Sequence, residues 1–227
     1  MRSQYFISAL ALTALASTPL SWGQAAAVPL DLRGLQARNV STEVVTYQGR
    51  NAVRVADTAP ADIPDGQRFA IIAGTDFTNG VIELDLVGDT LPGAAAEFRG
   101  FTGLAFRMSQ DGTRYETFYL RPRNGRAEDQ LQRNHAVQYE APPDFPWQRL
   151  RMETPGKYET YADLVMGEWT HVKIEVQGDK ARLYVNGVAQ PTLVVNDLKN
   201  GQSKGALALW IGPKTVAHFA NLQVTRH

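Results

Sequence analysis

From residue 43 onward, apolar and polar residues alternate with a period of two, in short runs broken by Gly, Pro, Asn and Asp. Successive side chains of a strand point to opposite faces, so such runs predict half-buried strands. The pattern predicts strands at 43–47, 52–55, 68–73, 81–87, 102–108, 115–121, 170–177, 181–186, 205–211 and 217–225. The clearest run sets Val172, Ile174 and Val176 against His171, Lys173 and Glu175. Gly178-Asp179 is then a two-residue hairpin turn, Leu183 and Val185 alternate on the return, and Asn186-Gly187 makes a second tight turn. A three-strand antiparallel meander is expected there, followed by two more strands around the Gly212-Pro213 break. No stretch sustains a 3.6-residue period, so little helix is expected.

The alternation has two interruptions. Residues 1–25 open with Arg2, continue through a mostly apolar run at 6–15, and end with small residues at Gly23 and Ala25. That is the pattern of a cleavable export signal. The second interruption runs from Tyr115 to Tyr139 and packs four arginines, Glu128, Asp129, His135 and three tyrosines into one segment. Between them lies no Ser/Gly/Pro linker, charge block or repeat, so residues 26–227 form one expected domain.

Composition narrows the partners. The 227-residue chain carries 23 Lys and Arg against 23 Asp and Glu. A neutral chain has no electrostatic footprint for nucleic acid or anionic membranes, and neither is an expected partner. No later segment reaches the roughly 18 apolar residues of a membrane span. Cysteine is absent, which excludes disulfides, thiolate metal sites and a lipid-anchor cysteine. The expectation is a soluble protein, periplasmic or secreted, and not a lipoprotein. His135, His171, His218 and His227 are scattered without metal-ligand spacing, and no metal or cofactor is expected.

The order GEW…VKIEV.G…LYVNG…G.LALW…AHFANLQV resembles the C-terminal half of concanavalin A-like jelly rolls, and FTNGVIELDL and FTGLAFRM resemble their middle strands. That superfamily includes legume lectins, laminin-G-like modules, laminarinase-type glucanases and the 3-keto-disaccharide hydrolase domain. The resemblance covers most of 40–227 and implies an all-β sandwich of two antiparallel sheets.

Three sets of residues carry candidate chemistry. Glu83 and Asp85 share one strand face, about 6.5–7 Å apart, a spacing at which two carboxylates flank a glycosidic bond. Laminarinase-type glucanases carry catalytic carboxylates as Glu-x-Asp-x-x-Glu; here Gly88 stands where the second glutamate belongs and Asp89 is one residue late. The same alternation also suits a solvated strand face. The second set is Arg107 together with Tyr115, Tyr119 and Arg121, which alternation places opposite Phe106, Phe118 and Leu120. Tyrosine rings stack on pyranoses while guanidiniums and carboxylates meet the hydroxyls, so this face suits a sugar groove. Glu116 is a further acid/base candidate. In the third set, either a network of Arg123, Arg126 and Arg133 with Glu128, Asp129 or another carboxylate, or a bound ligand, orders the insert, and Arg121, Asn124 and His135 are expected to face a pocket. Trp147, Tyr158 and Tyr161 are either lid packing or sugar platforms, with packing favoured for Trp147 because it follows a proline turn. The expected function is carbohydrate binding on a concave sheet face. A glycoside or 3-keto-disaccharide hydrolase using Glu83, Asp85 or Glu116 is the alternative, and a laminin-G-like interaction module is a third.

Overall fold

The computed structural model describes residues 23–227, so all but the end of the expected export signal lies outside the described residues. The strands are β1 (Ala26–Ala27), β2 (Leu35–Arg38), β3 (Val40–Tyr47), β4 (Arg50–Asp57), β5 (Phe69–Phe77), β6 (Gly80–Thr90), β7 (Thr102–Met108), β8 (Glu116–Leu120), β9 (Val137–Glu140), β10 (Glu159–Thr160), β11 (Thr170–Gln177), β12 (Lys180–Val185), β13 (Leu193–Val195), β14 (Gly205–Ile211) and β15 (Thr215–Arg226). Two short α-helices, α1 (Gln130–Asn134) and α2 (Trp147–Glu153), lie between β8 and β10, α1 within the insert and α2 after it. Each of the ten expected strands is present, because alternation reports burial directly.

The strands form two antiparallel sheets. One has the order β13-β12-β11-β6-β15-β4-β3, with β1 joining β15, and the other runs β10-β9-β8-β7-β14-β5-β2. They pack face to face as a jelly-roll sandwich. Ile82, Leu84 and Leu86 meet Leu104, Phe106, Phe118 and Leu209 in the core between them.

The meander forms as expected at β11 and β12, with Gln177 paired to Lys180 across Gly178-Asp179. Its third strand comes later than the expected second turn: Asn186 (φ 55°) and Gly187 (φ 72°) reverse the chain, but β13 begins only at Leu193. The insert departs most from expectation. Rather than an isolated loop, it leads into β9, a further strand of the second sheet on which β10 then pairs, with Tyr119 opposite Gln138 and Thr117 opposite Glu140. Short strands at an edge carry little alternation, and so little signal.

A second apolar cluster lies on the outer face of the second sheet, made of Phe69, Ala105, Met108, Tyr115, Tyr119, Ala208 and Trp210. Its strand register explains its shape. Phe69, Trp210, Gly103, Tyr119 and Gln138 lie in one row across five strands, and Ile71, Ala208, Ala105, Thr117 and Glu140 lie in the next. Gly103 is required in the first row. A Cβ there would stand 2.6 Å from the Tyr119 Cβ, whereas its absence lets the Tyr119 ring approach Trp210 to 4.6 Å.

Candidate functional site

The outer face of the second sheet is the floor of a groove. Its walls are the 64–67 loop, the turn at Gly112-Thr113, the proline turn at Pro142-Pro143, and α2. The first cavity of this groove has a volume of about 780 Å³, and a second of about 500 Å³ opens beside it. Trp147, half-buried at the start of α2, borders both. Trp147 thus both packs at the start of α2 and lines the two cavities.

Arg68 holds the wall that faces α2. Its guanidinium bonds Asp57 at 2.9 Å, and both side chains are nearly inaccessible at 3% and 2%. A further Arg68 nitrogen donates to the Pro64 carbonyl at 3.1 Å, which fixes the loop's path. The left-handed Gly66 (φ 85°) lets its carbonyl accept the Tyr115 hydroxyl, which in turn accepts from Trp210 Nε1 at 3.2 Å. Both polar capacities of the Tyr115 hydroxyl are used, and its ring is buried in the outer cluster, so the sequence-derived expectation that Tyr115 stacks on a sugar is corrected: it is floor beneath the groove.

Glu140 is the group with chemistry to spare. It ends β9 on the same face as Tyr119 and is only 4% exposed. One carboxylate oxygen accepts the Trp147 backbone N–H at 3.0 Å, and among the described residues no hydrogen bond is made to the other. Burial pushes its pKa up to about 7; the Asp65 carboxylate adds to the rise, while the Trp147 N–H and Arg121 oppose it. A carboxyl group half-ionised near neutrality beside a cavity can both take and return a proton. Glu140 was absent from the sequence-derived candidates. It stands alone before a proline turn, and its only clue was its place in line with Gln138 on a strand too short to recognise.

Arg121, Asn124 and His135 are brought together at the second cavity, as the sequence suggested. The His135 carbonyl accepts from Arg121 at 2.8 Å and from Asn124 at 3.0 Å, and the Gln132 side chain donates to Asn124 Oδ1 at 3.1 Å. Arg121 also donates to the Tyr119 hydroxyl at 2.9 Å. The His135 ring lies 3.2 Å from Glu159, and burial lowers its pKa. Tyr119 lies opposite Phe118, as alternation requires, but it is buried beneath Phe101, Trp210 and Arg121. It is floor beneath the site, and its ring is not open for stacking.

The remaining candidates do not join this site. Glu83 and Asp85 lie on the outer face of the first sheet, because Ile82, Leu84 and Leu86 fill the core between the sheets. The whole sandwich therefore separates them from Tyr119 and Arg121. Asp85 is saturated by Arg50 at 2.8 Å, Asn221 at 2.7 Å and His171 at 2.9 Å. Glu116 shares the core-facing side with Phe118; its oxygens accept from Tyr139 and, at 2.8 Å, from the Asn200 N–H. Burial raises its pKa, but its accepting positions are used to tie the 199–200 loop to β8. Arg107 sits in a β-bulge with φ 54°, which breaks the parity of β7. Its guanidinium donates to the Thr78, Gly178 and Gly201 carbonyls at 2.6–2.9 Å, clamping three loops, and Met108 turns to the outer cluster.

A family model described as the 3-keto-alpha-glucoside-1,2-lyase-like domain matches residues 41–225. Among solved structures, the chain is similar to the carbohydrate-binding module CBM66 from Bacillus subtilis, with 15% identity, 83% of this chain and 93% of that one covered, and a TM-score of 0.56. A galectin-like-fold protein from Bacillus subtilis is similar at 12% identity over 91% of this chain and 97% of the other, with a TM-score of 0.56. At these identities the likeness shows the jelly-roll fold. No curated protein matches the chain.

Proposed function

Because this chain belongs to the 3-keto-alpha-glucoside-1,2-lyase-like domain family, we propose that its groove holds a glycoside and that Glu140 moves the proton on which cleavage depends. The observation that carries this reading is the buried Glu140 carboxyl, titrating near 7 with one oxygen unbonded at the cavity. A ketone at C3 of a sugar acidifies the neighbouring C2 proton. The Glu140 carboxylate takes that proton, the C2–H electron pair becomes the C1–C2 double bond, and the C1–oxygen bond breaks. The leaving oxygen keeps that bond's electrons and takes a proton back from Glu140. Residues around it support each part: Trp147 lines the groove with ring surface, and Arg121 favours the ionised form of the base.

The experiment uses a 3-ketoglucoside with a chromogenic leaving group. Glu140→Gln is expected to keep its affinity and to lose about 10²–10⁴-fold of the release rate, the usual worth of a general base. Release by the native protein is expected to rise as pH passes about 7, where Glu140 ionises. Unchanged release by the variant removes Glu140 from the reaction.

A second reading, carbohydrate binding without turnover, is favoured by the ring and guanidinium surface at Trp147, Phe101 and Arg121. It predicts equal affinity for Glu140→Gln and the native protein, with no release by either.

A further inference from the structure

The second cavity has a charge imbalance that goes beyond the one role the proton-transfer reading gives Arg121. Arg121 and Arg151 approach the Trp147 ring to 5.7 and 4.6 Å, and Arg99 lines the same cavity. Arg151 is matched by Glu159, which it grips with two nitrogens at 2.6–3.1 Å. Arg121 and Arg99 have no carboxylate within ion-pair distance among the described residues. Arg121, only 4% exposed, meets neutral acceptors alone: the His135 carbonyl, the Tyr119 hydroxyl and the Gln138 side-chain oxygen. Arg99 bonds the carbonyl of Glu97. Nearby Arg123 likewise meets a carbonyl and the Met166 sulfur.

These cations press on one another: burial, then Arg121 and Arg123, lower the pKa of Arg99. The cavity also holds one carboxylate, Asp129, but its Oδ1 accepts the Gln132 N–H at 2.7 Å at the start of α1. Buried guanidiniums are normally paired, and their forked donors fit a planar carboxylate. Buried Arg121 and half-exposed Arg99, both facing the cavity and bonded only to uncharged acceptors, define a place for an external anion.

We propose that this cavity is an anion subsite, and that the glycoside held in the groove is acidic, a sugar whose carboxylate sits between Arg99 and Arg121. The proposal rests on the groove being a glycoside site and adds the substrate's charge. Trp147 borders both cavities, which places the anion subsite beside the groove that holds Glu140.

The test measures binding by calorimetry of a glucosyl disaccharide and of its glucuronosyl counterpart with the same linkage, using the native protein and Arg99→Gln. Arg99 is half-exposed and makes only a local bond, so the variant is expected to fold normally. The acidic sugar is expected to bind about tenfold tighter or more at low ionic strength. That preference should shrink as salt is added and should fall sharply in the variant. Equal affinities for the two sugars would overturn the anion subsite while leaving the glycoside groove standing. Failure of both sugars to bind would overturn both. Inorganic sulfate displacing the sugar acid with comparable affinity would also overturn it, by assigning the cavity to a free anion.

Discussion

At the scale of single residues, the site depends on two buried charges treated in opposite ways. Asp57 and Arg68 neutralise each other, and Asp57 additionally accepts the Ala59 and Lys214 N–H groups at 2.8 and 2.7 Å. Removing one partner leaves a buried ion without compensation. Arg68→Met is therefore expected to cost about 3–5 kcal/mol in urea denaturation, with the 64–67 wall loosened as well. Glu140 has no such partner and meets its burial by holding a proton. Its folded-state pKa is raised, so its stabilising contribution is full below the unfolded value of about 4.3. That contribution is lost as pH rises through about 7, a loss on the order of 3 kcal/mol. Glu140→Gln is expected to flatten the stability profile between those values, as read by melting temperature against pH. A slope unchanged in the variant would mean that the carboxyl is hydrated in solution.

At the scale of elements, the insert is ordered by strand pairing more than by its charges. Arg126 does find a carboxylate, Asp163 at 2.8 Å rather than Glu128 or Asp129, and both side chains are mostly exposed. Asp129 caps α1 instead of pairing with an arginine. Exposed pairs contribute little, so Arg126→Ala should change stability by less than about 1 kcal/mol. Arg121→Met should be far more damaging, because it leaves the Gln138 side-chain oxygen and the Tyr119 hydroxyl short of a donor inside the fold. The turn after β12 offers a cleaner test of local conformation. Nothing lies within 4 Å of a Cβ at Gly187, so a side chain there meets only backbone strain at φ 72°. Gly187→Val should cost about 1–2 kcal/mol, and an unchanged urea midpoint would show that the turn relaxes freely.

At the scale of the whole molecule, the sandwich keeps its two outer faces apart, so chemistry on one cannot assist the other. Mutating Glu83 is accordingly expected to leave both sugar affinity and release untouched, measured beside Glu140→Gln. The sequence by itself determined the strands, the Gly178-Asp179 hairpin, and which of Phe118 and Tyr119 faces the core. These follow from the period of the backbone and from turn chemistry, both of which act between near neighbours. It also brought Arg121, Asn124 and His135 to notice as a group, because polar residues in a segment poor in apolar ones must be satisfied by each other or by a ligand. Alternation assigns a side to each residue but says nothing of what covers that side. Tyr119 therefore looked like an open ring until Trp210 and Phe101 were seen to bury it. The bulge at Arg107 shifted parity where no residue type announced it. Glu140 acquired its raised pKa only when α2 and the 64–67 loop closed over it, from positions distant in the chain. Desolvation is set by everything that packs around a group, and that sum exists only once the two sheets and the insert have come together.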